Sequence, residues 1–440
     1  MSQDRTTGPE SPARLPPAPP PARRGAPAHP GPGPGSRPRR LSRDQSFRLV
    51  GAILIVLLLS SSAPSPMYVL YQQRWDFSAT MLTVVFGIYA VAVLIALLLF
   101  GSLSDTLGRR RVLLAALIGE VASMALFIGA RSVGWLLAAR AVQGLAVGLA
   151  TGATSAALIE LAPPAKPFRG TLLNSAGPTG GIAVGALVAG LLVQFAPAPT
   201  VLTYALLLAA FVLAFLGVLV MRETVPGRTK GLRVRPSRVS VPAAARGPFA
   251  LLSLTMIAVW SVCGLYLSLG PSLAIEILDS GGLLAGGLTV ALFAGIATVG
   301  QIALGRLPAP RTAVIGLVSL LAGLGLVHTA LTTGQAVVFF LGTAALGFGW
   351  GTAFLGAFRA LAALADPARR SELLAAVYVV VYLSMTVPAV AAGTVSEIWG
   401  LHRTTVAFVA AAAVICLAAL LGLAWVTVNR PGPPPEPHAA

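Results

Sequence analysis

Two ionisable side chains interrupt long apolar runs and are therefore the first candidates for chemistry. Glu120 lies within the apolar run 112–130, and Arg140 lies within the next run, 135–161. Each run is long enough to cross a bilayer as a helix, which needs about 20 residues. At ~1.5 Å per residue, Glu120 would lie ~15 Å into a hydrocarbon core ~30 Å thick. Ionisable groups are rare at that depth, and they usually mark ion or substrate pathways.

The pairing of a buried acid with a nearby arginine suggests proton chemistry. Burial in hydrocarbon favours the protonated form of a carboxyl group, whereas a neighbouring cation favours the ionised form. Glu120 and Arg140 are therefore candidates for coupling to a proton. The structural alternatives are a neutral Glu120 that hydrogen-bonds between helices, and an Arg140 whose long side chain reaches the membrane interface.

The loop that precedes the run of Glu120 has a specific residue pattern. It joins the apolar run 79–100 to the run 112–130 and carries two glycines, one acid and three arginines: Gly101, Leu103, Asp105, Gly108, Arg109, Arg110 and Arg111. Gly108 permits a turn with positive φ, and the arginines favour the cytoplasmic side of a membrane. A plain hairpin turn would need neither the acid nor both glycines at this spacing.

The pattern Gly-x-Leu-x-Asp-x-x-Gly-Arg-Arg resembles the loop 2–3 signature of the major facilitator superfamily. The resemblance implies an all-α membrane protein with twelve transmembrane helices in two six-helix halves, which transports by alternating access. It also implies that Asp105 contacts the start of helix 11, here Ser371 and Glu372, and helps to hold an outward-facing state. Glu160, at the cytoplasmic end of helix 4, is a further candidate partner for Arg109 or Arg110.

Helix 4 carries a second motif that resembles a signature of this family. It consists of Arg140, Gln143 and Gly144. Gln143 lies one turn from Arg140, so it could hydrogen-bond either a substrate or a neighbouring helix.

Helix 5 carries a ridge of small residues. Gly177, Gly181 and Gly185 recur every four residues, and Pro178 bends the helix. The segment resembles the family's antiporter signature, a Gly-Pro pair followed by a pair of glycines. The family has two residues between the two pairs, whereas this sequence has only Thr179. Close helix packing without any directional meaning is the alternative.

Composition and charge support a membrane protein. Hydrophobic residues make up 56% of the chain and charged residues 10%, against about 25% charged in a soluble domain. The net charge of +17 comes from a basic N-terminal tail and alternate basic loops, so it predicts topology rather than a nucleic-acid partner. Cys263 and Cys416 lie in separate apolar runs and indicate neither a disulfide nor a metal site. The sequence has no phosphate-binding loop, which disfavours ATP-driven transport. No enzyme site is visible in it either, and we predict no enzyme activity and no cofactor.

The apolar runs divide the chain into five parts. Residues 1–46 are rich in proline and arginine and are predicted to be a disordered cytoplasmic tail. Residues 47–221 form helices 1–6, and residues 222–248 form a basic cytoplasmic linker. Residues 249–428 form helices 7–12, and residues 429–440 form a second cytoplasmic tail. The predicted helices are 48–71, 79–100, 112–130, 135–161, 171–194, 200–221, 249–271, 284–305, 311–332, 335–360, 371–393 and 404–428.

An internal repeat relates the two halves. At an offset of 203 residues, Gly144 matches Gly347 and Gly148 matches Gly351. The string Leu161-Ala-x-Pro-Ala-Lys likewise matches Leu364-Ala-x-Pro-Ala-Arg. Such a duplication places a midplane site between two halves that are related by an axis along the membrane normal.

The expected function is proton-coupled efflux of small, partly apolar compounds across the plasma (inner) membrane by a monomer. The proton gradient would supply the energy, and both termini would be cytoplasmic because the basic loops lie on their side. The scarcity of charge within the helices suits an apolar or weakly cationic cargo. Aromatic side chains are candidates for lining its cavity: Tyr89, Trp260, Trp350 and Tyr378. The alternatives are an uptake symporter or uniporter of a metabolite, and a membrane sensor or assembly partner that transports nothing.

Overall fold

The structure is a computed structural model that describes residues 40–101, 103–166, 168–224, 238–278, 282–364 and 369–428. Apart from one 3-10 turn, Ala243–Ala245, the regular elements in these ranges are α-helices. They are α1 (Arg43–Ser62), α2 (Pro64–Trp75), α3 (Ala79–Phe100), α4 (Leu103–Leu107), α5 (Arg109–Ile128), α6 (Val133–Leu161), α7 (Phe168–Phe195), α8 (Pro199–Val220), α9 (Arg246–Ser268), α10 (Gly270–Leu278), α11 (Leu284–Leu304), α12 (Ala309–Thr333), α13 (Ala336–Ala363), α14 (Arg370–Trp399) and α15 (Leu401–Val428).

Twelve membrane spans are found in the described part of the chain, each apolar and long enough to cross a bilayer. The first span consists of α1 and α2 together, and the short α4 and α10 lie between spans. The predicted all-α fold with twelve transmembrane helices is therefore confirmed. The first six spans are α1 with α2, α3, α5, α6, α7 and α8; the last six are α9, α11, α12, α13, α14 and α15.

Most helix bounds lie close to their predicted positions, but the first helix begins earlier. Ser42 caps α1 by accepting a hydrogen bond from the backbone of Gln45, whose own side chain accepts one from the backbone of Ser42. Residues 43–46 are thus helical and do not belong to the predicted disordered tail. Residues 1–39, the linker segment 225–237 and the tail 429–440 lie outside the described residues.

Proline divides the first span into two helices. α1 ends at Ser62 and α2 begins at Pro64, in the first turn, where the missing proline N–H costs no helical hydrogen bond. The break falls within the single helix 48–71 that the sequence predicted.

The internal repeat corresponds to a repeated packing of helices. A side chain at Gly144 of α6 would overlap the backbone carbonyl of Tyr89 on α3, and one at Gly347 of α13 would overlap that of Phe293 on α11. Gly148 and Gly351 pack in the same way, one turn further along. The contacted residues Tyr89 and Phe293 are themselves 204 residues apart. The two halves therefore have equivalent cores in which glycines bring backbones into contact.

Two helix pairs, α3 with α14 and α7 with α11, make most of the contact between the halves, and their closest contacts lie towards one face. We call the face at which α1 begins, and which carries the loop of Arg109, the basic face; the other is the opposite face. Near the opposite face, Gly393 of α14 packs on Thr83 of α3, and Gly190 of α7 packs on Gly287 of α11. In the described ranges, hydrogen bonds between the halves occur near the opposite face and around the middle of the helices, but not at the basic face. The halves are therefore closed together at the opposite face.

The glycine ridge of the fifth span packs against the first span. Side chains at Gly181 and Gly185 of α7 would overlap the carbonyl oxygens of Ile55 and Leu59 on α1. The ridge thus has the close-packing role that the sequence analysis gave as an alternative to a directional one.

We predict that Gly185→Ala destabilises the protein, because its new methyl group cannot fit against the α1 backbone. Overpacking of this kind costs about 1–3 kcal/mol. The matched control is Gly325→Ala, in the exposed part of α12, where nothing lies within 4 Å of the added atom. In thermal unfolding of the detergent-solubilised protein, Gly185→Ala should lower Tm by several degrees and Gly325→Ala should not. Equal Tm values for the two variants would contradict this packing.

Candidate functional site

Arg140 is fully buried at the centre of the N-terminal half. Its guanidinium donates hydrogen bonds to the backbone carbonyl of Ser61 at 3.0 Å and to Oε1 of Gln143 at 2.7 Å. It also lies over the ring of Tyr89, 4.5 Å from the centroid, a distance suited to a cation–π contact. The side chain therefore points into the helix bundle, and the alternative of a guanidinium at the membrane interface is wrong.

Gln143 and Gly144 hold this arginine between helices. The side-chain amide of Gln143 donates to the carbonyl of Ser60 on α1 at 3.1 Å, so it joins two helices. Gly144 lets α6 approach α3 closely enough for Arg140 to meet Tyr89. The hydroxyl of Tyr89 in turn shares a hydrogen bond of 2.8 Å with Ser61. Ser60 and Ser61, which the sequence analysis did not select, thus supply the carbonyl groups that orient the motif.

Glu120 is also fully buried, on the neighbouring helix α5. The two helices are held together there by a hydrogen bond of 2.9 Å from the hydroxyl of Ser123 to the carbonyl of Ala139. Glu120 interacts electrostatically with Arg140 and Tyr89 but forms no salt bridge with the arginine. Both of its carboxyl oxygens lack a hydrogen-bond partner among the described residues. The structure therefore brings the two coupling candidates close together without pairing them.

The loop at the basic face forms a second charged cluster. Arg109 begins α5 and is 10% exposed, whereas Asp105 in α4 is 63% exposed. The two form a salt bridge, and the guanidinium of Arg109 also lies 3.1 Å from the carboxylate of Glu160 at the end of α6. Glu160 is therefore a partner of Arg109, which is one of the two arginines that the sequence analysis named as its candidate partners.

The other residues of this loop fasten neighbouring helix ends. Arg110 donates to the carbonyl of Val218 at 3.0 Å and so caps the end of α8. Glu223 accepts a hydrogen bond of 2.8 Å from the backbone N–H of Arg109, at the first turn of α5. Gly108 has φ of +94°, and a side chain there would collide with the Glu223 carboxylate. Sequence reasoning missed Glu223, although an acid directly after a span at a basic face is a possible signal.

Asp105 does not contact the start of α14 in this structure. Among the described residues its hydrogen bonds and ion pairs are made to Arg109 alone. Ser371 is exposed, and Glu372 lies in the first turn of α14 without a hydrogen bond or ion pair to another described residue. The contact between Asp105 and the start of α14, which the family resemblance implies, is therefore absent from this conformation, in which the halves meet at the opposite face.

Aromatic rings form a continuous cluster in the C-terminal half. Phe293 stacks on Tyr266 and on Trp350, with both pairs of ring centroids 4.8 Å apart. Trp350 meets the edge of Trp260 at 5.8 Å, and Trp260 meets the edge of Phe354 at 5.3 Å. The indole nitrogens of both tryptophans are buried without a hydrogen-bond partner among the described residues. This aromatic cluster therefore combines flat apolar surface with two unused hydrogen-bond donors.

Tyr378 and Tyr382 lie on α14, the helix of the C-terminal half that packs against α3. Both side chains are half-buried. The four aromatic candidates therefore divide between the halves. Tyr89 lies at the arginine, Trp260 and Trp350 lie in the aromatic cluster, and Tyr378 lies on the helix that packs against α3.

A cavity of about 480 Å³ lies at the basic face of the N-terminal half, beside the charged cluster of Arg109 and apart from Arg140 and the aromatic cluster. It is bounded by the start of α1, the end of α6 and the residues that follow α8. Its lining includes Arg40, Arg43, Glu160, Arg222 and Glu223.

Twelve spans in two equivalent halves, with buried polar groups near the middle of the bundle, are the architecture of a membrane carrier. The chain belongs to the Major Facilitator Superfamily, whose sequence pattern it matches over residues 50–357. Members of this family are transporters and not enzymes, as the sequence analysis predicted.

Solved structures of several transporters share the fold. A bacterial homologue of the human lysosomal transporter Spinster, in an inward-facing and unoccupied conformation, is 16% identical over 91% of this chain and all of its own, with a TM-score of 0.72. The human organic anion transporter MFSD10 (TETRAN) is 18% identical over 87% of this chain and all of its own, with a TM-score of 0.62. The nucleoside transporter NupG is 12% identical over the same shares, with a TM-score of 0.66. No curated protein sequence matches the chain.

We predict that Asp105→Asn strongly reduces transport while the protein still inserts and folds. The amide cannot balance the charge of Arg109, and it caps a helix more weakly than a carboxylate when the halves meet at the basic face. A loss of at least about fivefold is expected, the factor that ~1 kcal/mol makes in an equilibrium. The measurement is solute flux into proteoliposomes at equal protein content.

Asp44→Asn is the matched control for this variant. Asp44 forms a salt bridge of 2.7 Å with Arg48 at the same i,i+4 spacing, but both side chains are well exposed at the start of α1. Flux should be unchanged in this control. Wild-type flux in Asp105→Asn as well would contradict a role of the Asp105 carboxylate in transport.

Proposed function

We propose that the protein is a proton-coupled exporter of small, partly apolar compounds that works by alternating access. Glu120 would bind and release the coupling proton, and Arg140 would respond to its charge. The observation that carries this proposal is the position of Glu120, which is fully buried beside Arg140 and has neither a salt bridge nor a side-chain hydrogen bond to any described residue.

Proton coupling follows from the energetics of a carboxyl group at this position. Ionised Glu120 would gain attraction to Arg140 but would lose hydration, so the balance between its two forms depends on small movements of the arginine. Arg140 is held by a carbonyl of α1 and by the ring of Tyr89 on α3. A substrate or a rearrangement that moves these helices would therefore change the proton affinity of Glu120.

The cargo is proposed from the chemistry of the aromatic cluster. Trp260 and Trp350 offer ring surface and two indole donors. Within the spans, Glu120 is the only acid away from the helix ends, so a multiply charged cation would find no other countercharge in the hydrocarbon region. Planar or partly apolar molecules with a hydrogen-bond acceptor fit these side chains best.

The orientation in the membrane is proposed from the distribution of arginine. Short cationic loops stay on the cytoplasmic side, which places the basic face and both termini there, in a plasma membrane. The contacts between halves at the opposite face then correspond to an inward-facing state, and the fold similarity to an inward-facing relative supports that assignment. Asp105 would meet the start of α14 in the outward-facing state. We propose a monomer, since each chain contains both halves.

Flux in proteoliposomes with an imposed pH gradient tests the proposal, with a panel of partly apolar aromatic compounds as solutes. Glu120→Gln should abolish accumulation driven by the gradient, because the amide cannot carry a proton. Exchange of solute without a gradient should persist, since alternation itself would not need the proton. Glu276→Gln, which alters an exposed acid on α10, is the control and should behave as wild type.

Accumulation at the wild-type level in Glu120→Gln would remove Glu120 from the mechanism. Expression and insertion must be compared first, because an unsatisfied polar group in lipid costs several kcal/mol.

A further inference from the structure

The last turn of α14 reaches across to the other half of the protein. The carboxylate of Glu397 accepts a hydrogen bond of 2.8 Å from the backbone N–H of Thr80, in the first turn of α3. The first N–H groups of a helix have no acceptor within that helix, and a negative charge near them is favourable. Glu397 therefore caps a helix of the N-terminal half from the C-terminal half.

The second helix pair contains the same kind of contact in the reverse direction. Gln194, in the last turn of α7, accepts a hydrogen bond of 3.3 Å through Oε1 from the backbone N–H of Leu284. Leu284 is the first residue of α11. Here a side chain of the N-terminal half caps a helix of the C-terminal half.

The internal repeat makes these two contacts equivalent. Gln194 and Glu397 are 203 residues apart, the offset that relates Gly144 to Gly347. Thr80 and Leu284 are 204 residues apart, the offset that relates Tyr89 to Phe293. Each capping residue therefore occupies the same position in its half, and so does each capped N–H group.

One turn before each capping residue, a glycine brings the same helices together. Gly190 precedes Gln194 by four residues and packs on α11, and Gly393 precedes Glu397 by four residues and packs on α3. Gly190 and Gly393 are again 203 residues apart. Each half thus contributes a glycine and a capping side chain, on one face of a helix, to the contact with the other half.

We propose that Glu397 and Gln194 are paired latches that hold the opposite face closed. This inference rests on the alternating access of the proposed function. Opening of the opposite face must separate α3 from α14 and α7 from α11, which transfers the N–H groups of Thr80 and Leu284 to water. Glu397 is the stronger latch, because its acceptor is charged and its hydrogen bond is shorter.

The exposed position of the latches suits a gate that opens in every cycle. Both contacts lie at the ends of helices, where water can replace the lost acceptor, so opening leaves no unsatisfied group in hydrocarbon. A contact of this kind shifts the equilibrium between closed and open states without trapping the closed one.

The test measures opening of the opposite face directly. Thr83 is fully buried against Gly393, so Thr83→Cys reports on separation of α3 and α14. The background carries Cys263→Ala and Cys416→Ser, and the purified protein is labelled in detergent with a water-soluble maleimide. The rate of labelling is compared between the latch variants Glu397→Ala, Glu397→Gln and Gln194→Ala.

Glu397→Ala should increase the labelling rate about fivefold, the effect of removing a capping contact on a two-state equilibrium. Glu397→Gln should give a smaller increase, because the amide still accepts a hydrogen bond without the charge. Gln194→Ala should also accelerate labelling, and the double variant Gln194→Ala/Glu397→Ala should combine both factors, since the sites act on the same equilibrium.

The control is Glu276→Ala, an exposed acid on α10 that makes no hydrogen bond or ion pair to the described residues. Labelling at the wild-type rate in Glu397→Ala, or an equal increase in Glu276→Ala, would overturn the latch. The result is independent of the proposed function, because labelling requires neither a substrate nor a proton gradient. Faster labelling in Glu397→Ala would support the latch even if no solute crossed the proteoliposome membrane.

Discussion

The interior of a membrane protein offers no water to polar groups, and this constraint determines how Arg140 is held. Its guanidinium is satisfied in part by the carbonyl of Ser61, by Gln143 and by the ring of Tyr89. Ser61 and Tyr89 are available because α1 and α3 approach α6 closely, and Gly144 permits the approach of α6 to α3. The close packing of α1, α3 and α6 therefore also determines where the fully buried Arg140 lies. Glu120 lies beside this arrangement but outside its hydrogen bonds.

The internal repeat gives two halves whose backbones pack equivalently but whose buried side chains differ. The glycine contacts of α6 with α3 recur between α13 and α11, at nearly the same offset along the chain. At the level where the first half holds Arg140 and Glu120, the second holds the aromatic cluster around Trp350. This division separates the two buried charged side chains from an apolar surface. A movement of one half against the other can then couple the two sites.

Sequence reasoning reached the elements of this fold because apolar length and glycine spacing are local signals. The bounds of α3 were predicted as 79–100 and are Ala79–Phe100. The start of α1 was missed because the proline-rich composition before it concealed the capping pair Ser42 and Gln45. The cap that Glu223 provides to α5 was missed because it joins residues far apart in sequence, and no periodicity marks it. The contact of Glu397 with Thr80 was missed because it forms only where the two halves meet, and no local pattern in the sequence indicates which faces of the halves are in contact.

The central claim, that Glu120 carries the coupling proton, is tested most directly by infrared difference spectroscopy of the purified protein. A protonated carboxyl group in an apolar site has a carbonyl stretching band that ionisation removes. Addition of a transported compound near neutral pH should change this band in the wild-type protein and leave no such change in Glu120→Gln. A wild-type spectrum without the band change, or the same change in Glu120→Gln, would contradict the account.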